Sequence, residues 1–266
     1  MTGEGPLAGR VALVTGVSRR AGIGFATAVR LGRMGARLFL HSWTPHDREQ
    51  PWGPDPGGLD AVLGEIRAAA PVQVEHLEAD LAEPEAPERL VAATVDAFGR
   101  LDILVCNHAR SSSQGLAELT AAEIDLTHAV NTRACLLLVR AFAARHDGRP
   151  PADPSGRVIL MTSGQQLGPM PDEIPYATSK AALLGIAPTL AAVVAAQGIT
   201  VNCVNPGPTD TGYAGGEALE RVARAFPAGR WGEPDDAARL IAWLCTDDAR
   251  WITGQVINSE GGFRRG

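Results

Sequence analysis

Tyr176 and Lys180 stand four residues apart, and Ser163 precedes the tyrosine by 13. If a helix starts near Pro175, the phenol and the ammonium lie on one face, a turn apart. Proline suits a helix start, because its missing N–H is not needed there. An ammonium beside a phenol favours the phenolate, so Lys180 is expected to bring Tyr176 below its usual value of about 10. The phenol then becomes a proton donor or acceptor near neutral pH. Ser163 closes the apolar run 157–163, which reads as a buried strand. A hydroxyl at a strand end and a phenol at a helix start can reach one substrate oxygen. Taken alone, Tyr-x-x-x-Lys equally describes a half-buried tyrosine and a solvated lysine.

A second chemical feature lies near the N-terminus. Residues 10–16 read as a buried strand, followed by the turn TGVSRRAGIG, an amphipathic helix over 23–34 and a strand over 37–42. This order is that of a dinucleotide-binding unit. Gly16, Gly22 and Gly24 let backbone approach a pyrophosphate, and the helix N-terminus behind them offers N–H groups and partial positive charge. Five residues, Val17 to Ala21, separate the first two glycines, so the loop is expected to bulge over the phosphates. The strand after the helix ends Leu40-His41-Ser42-Trp43, without the acid that accepts from the ribose hydroxyls of NAD. The nearest acids, Asp47 and Glu49, lie past Pro45.

The remaining elements must hold these groups. At 266 residues and 45% apolar content the chain reads as one domain, 1–266, with a sizeable core. A net charge of −6 without a basic run gives no footprint for nucleic acid or anionic membrane. Cys106, Cys135, Cys203 and Cys245 lack metal-ligand spacing and read as buried thiols, and no metal site is expected. No signal peptide is legible at the N-terminus and no apolar run reads as long enough for a bilayer, which makes a cytoplasmic protein the default. Run 43–58, rich in Pro, Gly and Trp, reads as a long ordered loop, either a surface insertion or a flap over the adenosine end of a ligand. Helices are expected at about 59–70, 84–98 and 120–145, strands at 72–77, across LDILVC and at 199–204, and a surface loop at 146–156. Pro188 should kink the helix that carries Lys180. Residues 212–229 read as a mobile lid with Tyr213, Leu219 and Phe226 as apolar contacts.

Ser163, Tyr176 and Lys180 at this spacing resemble the catalytic signature of the short-chain dehydrogenase/reductase family. The likeness runs from about residue 10 to residue 262. It implies a single doubly wound α/β domain of Rossmann type, with a mostly parallel sheet and a lid over about 207–230. In that family Asn131 would bend its helix, hold a water and connect to Lys180. Tyr176 would protonate the developing alkoxide while Ser163 orients the carbonyl and Lys180 holds the cofactor ribose. The cofactor set would be Gly16, Ser18, Arg19, Arg20, Gly22, Ile23, Gly24, Ser42, Asp80, Leu81, Asn107, Pro206, Gly207, Thr209 and Thr211, joined by Tyr176 and Lys180. The family's Asn-Asn-Ala-Gly stands here as Cys106-Asn107-His108-Ala109, so only Asn107 is retained, and His108 reads as packed or cofactor-flanking. Ser18-Arg19 matches a pair that commonly contacts a 2′-phosphate, which makes NADP(H) the expected cofactor ahead of NAD(H).

The resemblance is nearest to 3-oxoacyl-(acyl carrier protein) reductases. It implies a small-molecule carbonyl substrate, a 3-oxoacyl thioester first and a free ketone nearly level with it. Acyl carrier protein would be a partner if Arg110, Arg221 and Arg224 form a basic mouth. A homotetramer or homodimer would form through helices 120–145 and 176–197. An enoyl-thioester reductase shares the long glycine loop, but that branch carries another tyrosine where this chain has Pro169, and a longer Tyr-to-Lys gap. A silent nucleotide-binding module would not need all four of Asn131, Ser163, Tyr176 and Lys180.

Overall fold

The computed structural model describes residues 5–148, 152–153 and 155–265. The expected surface loop 146–156 therefore lies partly outside the described residues, as does the start of the N-terminal segment. Seven strands form one sheet: β1 (Val11–Val14), β2 (Arg37–Ser42), β3 (Val74–Glu78), β4 (Ile103–Cys106), β5 (Gly156–Met161), β6 (Ile199–Asn205) and β7 (Val256–Asn258). Their order is β3-β2-β1-β4-β5-β6-β7, and every pair is parallel, where a mostly parallel sheet was expected.

A parallel sheet is covered on both faces, so its strands carry apolar residues at both parities. Val11 and Leu13 join the core beneath helices α4 (Ala86–Phe98), α6 (Ala134–Arg145) and α7 (Ile174–Val194). Ala12 and Val14 join the opposite core, beneath α1 (Ile23–Arg33), α3 (Gly58–Ala69) and α9 (Pro234–Leu244). The chain leaves β1 and β4 toward opposite sides of the sheet, which opens a crevice at their C-terminal ends, the usual ligand position in such folds.

Several elements differ from their sequence reading. The run 43–58 is not only loop: α2 (Thr44–Glu49) opens it, with Pro45 in its first turn. The helix expected over 120–145 is α5 (Ala121–His128) and α6, joined by a π-turn, Ala129–Arg133. The lid contains helix α8 (Gly216–Ala225). β5 stops at Met161, so Ser163 lies just past the strand. Helix α7 runs through Pro188 to Val194. With its 3-10 extension it reaches 24 residues and is long and apolar enough, by length and composition, to cross a membrane, which the sequence reading had excluded. In the fold its inner face packs on β6 and against the sheet.

Candidate active site

Tyr176 sits in the first turn of α7, directly after Pro175, and Ser163 faces it from the end of β5; both line one cleft. The cleft encloses about 1400 Å3 beyond the C-terminal strand ends. Burial drives the Tyr176 phenol up to about 12, against a smaller opposing effect of the Ser163 hydroxyl. This corrects the expectation that Lys180 lowers it. Lys180 is buried, and its Nζ donates to the Met161 carbonyl at 2.8 Å. The ammonium faces the tyrosine ring, 5.7 Å from its centroid. Burial also pushes Lys180 below the usual lysine value. Lys180 stands behind the tyrosine and outside the cleft lining.

Asn131 is fully buried in the π-turn and every polar atom is used. Its Oδ1 accepts from Arg110 N at 2.7 Å, and its Nδ2 donates to Arg110 O at 3.0 Å and Ser179 Oγ at 2.9 Å. It thus reaches the residue next to Lys180. The five-residue hydrogen-bond register of the turn interrupts the α-helix at this point.

The opposite end of the cleft presents a glycine turn and a helix N-terminus. Gly16 has φ +74, and a Cβ there would stand 2.8 Å from His108 Cα. A Cβ on Gly24 would lie 2.4 Å from Gly16 O, so α1 packs tightly under the turn. No side chain caps α1 at Gly22 and no acid occupies its first turn. Its N–H groups are open to a diphosphate. Ser18, Arg19, Gly22 and Ile23 line this end, and Asn107 Nδ2 holds the turn by donating to Thr15 O and Gly16 O, both at 3.0 Å. Asp80 and Leu81 form a wall, and Pro206, Gly207, Thr209 and Thr211 line the stretch toward Tyr176. These residues fit a dinucleotide.

Gly24, buried in α1, and Lys180 stand behind the cleft lining, and two further expected cofactor residues are placed elsewhere. Ser42 is buried, its Oγ paired with His76 Nε2 at 2.9 Å, and its neighbours His41 and Trp43 line the cleft instead. The side chain at a strand's last position alternates with its neighbours, and here Ser42 falls on the covered side. Arg20 turns away from the cleft. Asp55 accepts from Arg20 Nη2 at 2.7 Å, from Nε and from its backbone N–H at 2.9 Å. The arginine holds the Asp55 carboxyl down to about 2. The extended glycine loop and the inserted run 43–58 are therefore clamped to each other.

Other residues of the site were legible only as a nearby acid, a possible flap or a lid, or not at all. Asp47 comes back to the cleft because α2 folds over the glycine loop; it is nearly buried beside Ser18 and Arg19, and burial raises its carboxyl. Trp52 lies under the Arg19 guanidinium, 5.8 Å from centroid to Cζ, and meets Tyr213 of the lid edge-on at 6.5 Å. Arg19 Nη2 donates to Thr211 O at 2.7 Å, completing a strap across the cleft. His41 is buried and held near pKa 3, so it is neutral: Nδ1 accepts from Gly16 N and Nε2 donates to Ala79 O. Phe263, Arg264 and Arg265 bring the C-terminal tail to the substrate end. In the lid, Tyr213, Val222 and Ala225 line the cleft. Leu219 does not, and Phe226 packs on Phe263 with ring centroids 4.9 Å apart. Of the three mouth arginines, Arg110 is paired with Glu123 at 3.0 Å, Arg224 stands 3.7 Å from Glu220, and Arg221 lines the cleft.

A family model described as Enoyl-(Acyl carrier protein) reductase matches residues 16–264. The chain is 40% identical over 257 residues to the uncharacterized oxidoreductase YjdA of Bacillus subtilis, covering 97% of this chain and 98% of that one. It matches a short chain dehydrogenase from Burkholderia cenocepacia J2315, solved in complex with NADP, with TM-score 0.83 and 34% identity over 97% of this chain and 98% of the other. A blue fluorescent protein from a metagenomic library, solved in complex with NADPH, matches with TM-score 0.84 and 31% identity over 98% and 100% of the two chains. The serine and tyrosine on one cleft with the lysine behind them, the parallel sheet and these matches place the chain in the short-chain dehydrogenase/reductase family of oxidoreductases.

Proposed function

We propose that the protein is an NADP(H)-dependent reductase that converts a ketone, a 3-oxoacyl thioester or a similar carbonyl, to a secondary alcohol. The observation that carries this reading is the convergence of the Tyr176 phenol and the Ser163 hydroxyl on the cleft, with Lys180 one helical turn behind. The cofactor, when bound along Gly16 to Ile23, would supply the hydride. Ser163 and Tyr176 donate hydrogen bonds to the ketone oxygen and hold its carbon toward the Thr209 side of the cleft. Tyr176 then gives its proton to the oxygen as negative charge develops there. Lys180, whose ammonium lies over the ring, would offset part of the charge left on the phenolate, by less than burial costs it, and Asn131 ties the π-turn to Ser179 beside it. The Tyr176→Phe variant should lose turnover by about a thousandfold or more, with NADPH affinity within about twofold of wild type. Turnover near wild type in that variant would remove the assignment.

NADP(H) is favoured over NAD(H) by Arg19 in the cleft and by the absence of an acid at the end of β2. Asp47 lies nearby, and the charge of Arg19 beside it offsets part of its repulsion of a phosphate. The NADP and NADPH complexes of the two structural relatives agree with this choice. Pro169 lines the cleft where an enoyl reductase would carry its tyrosine, which favours carbonyl over enoyl chemistry. A free small ketone is the second reading, favoured because the Arg110–Glu123 pair weakens the basic mouth that an acidic carrier protein would need. NADPH-consumption assays over free ketones, 3-oxoacyl thioesters and enoyl thioesters separate the three. A homotetramer or homodimer through α7 is supported by apolar side chains left outward on it, such as Val193 at 70% exposure.

A further inference from the structure

His108 lies under the glycine loop, 5% exposed, between the end of β1 and the π-turn. Its Nδ1 is 2.7 Å from Thr15 Oγ1 and its Nε2 is 3.0 Å from the Val130 carbonyl. A carbonyl can only accept, so the ring is protonated on Nε2 and its Nδ1 accepts the Thr15 hydroxyl proton. The alternative acceptor for that proton, Val105 O, is farther at 3.2 Å. Thr15 Oγ1 in turn accepts from the backbone N–H groups of Asn107 and His108, at 3.0 and 3.2 Å. The only other side chain at hydrogen-bonding range of Nε2, among the described contacts, is Cys135 Sγ at 3.8 Å.

Val130 is the neighbour of Asn131, and both lie in the turn where the helical hydrogen-bond register is broken. We propose that His108 is a positioning residue that acts through Asn131. Its ring fastens the π-turn to the floor of the glycine loop, so that Asn131 is held against Arg110 and Ser179 in the orientation the Tyr176–Lys180 helix requires. An alanine at 108 would leave the Val130 carbonyl without this donor and the turn free to shift. An apolar ring would fill the volume but make neither hydrogen bond. The inference rests on the catalytic reading of Asn131 given above.

A double-mutant cycle on the intact protein tests it, with ketone reduction by NADPH as the readout. Asn131→Ala alone should lower kcat at least about tenfold, and His108→Ala alone by about tenfold, with the KM for the ketone within about twofold. The double variant should be no slower than Asn131→Ala. His108→Gln, whose carboxamide offers one donor and one acceptor, should recover most of the lost kcat. Losses that multiply in the double variant, or a His108→Ala enzyme with wild-type kcat, overturn the link while leaving the role of Asn131 standing. A harmless Asn131→Ala removes the catalytic reading of Asn131, and this inference with it. If the variants misfold, nitrogen NMR of the wild-type imidazole decides: a proton on Nε2 that persists across the neutral range is expected, and a proton on Nδ1 alone overturns the proposal.

Discussion

A phenol raised to about 12 keeps its proton throughout the neutral range, which makes Tyr176 an acid ready for reduction and a poor base for the reverse reaction. The kcat/KM profile reports groups of the free enzyme, so for ketone reduction it should show no falling limb from Tyr176 between about pH 6 and pH 9. Alcohol oxidation needs the phenolate and should gain about tenfold per pH unit over the same range. A falling limb near neutrality in the reduction profile would contradict the half-buried, protonated phenol. Spacing put Tyr176 and Lys180 on one helical face, because a helical turn converts four residues into one face, and the family resemblance singled out Ser163 with them. The direction of the tyrosine shift was not legible. It depends on how deeply the ring is covered and on whether the ammonium meets its edge, its face or its oxygen. Both are set by tertiary packing, and here the Met161 carbonyl takes the lysine. Ser42 shows the same limit at a smaller step, since one residue of strand register decided between cleft and core.

At the scale of elements, two oddities of the sequence prove to be one construction. The lengthened glycine turn sends Arg20 outward, and the proline-rich insertion returns Asp55 to meet it through both side chain and backbone. Arg19 remains in the cleft, between Trp52 and Thr211. The Arg19→Ala variant should therefore raise the NADPH KM about tenfold or more, whereas Arg20→Ala should keep it within about threefold. Equal effects of the two substitutions would mean that the clamp itself sets cofactor affinity. Each element of this arrangement was visible as a length or a composition, but the pairing between residues 35 apart was not. Nothing local distinguishes an arginine that meets a phosphate from one that meets an aspartate. The π-turn was legible only as a bend at Asn131. Helix α8 was masked by Gly212, Gly215 and Gly216 ahead of it, although Glu217–Ala225 is rich in helix formers.

For the whole molecule, the order of apolar runs and glycine turns was enough to anticipate a doubly wound domain, since parallel strands with helical crossovers admit few arrangements. A flap and a lid were each anticipated, but not that they meet around one cleft with the C-terminal tail, because that joins parts far apart in the chain. A ligand bound among them stabilises the fold by mass action. NADPH at a hundred times its Kd should add about 2.7 kcal/mol and raise Tm by about 5 °C or more. NADH at the same concentration should raise it less, and an equal shift would oppose the cofactor choice. The strap across the cleft has an optical consequence. Trp43 and Trp52 face the ligand space, and Trp231 reaches it through the Tyr213 ring at 5.6 Å. Trp243 and Trp251 sit outside, 41% and 90% exposed. Indole emission from the first group should be quenched by a reduced nicotinamide in the cleft while the outer pair supplies a constant background. The protein would then report its own loading through its fluorescence, and Trp52→Phe should dim that signal without silencing it.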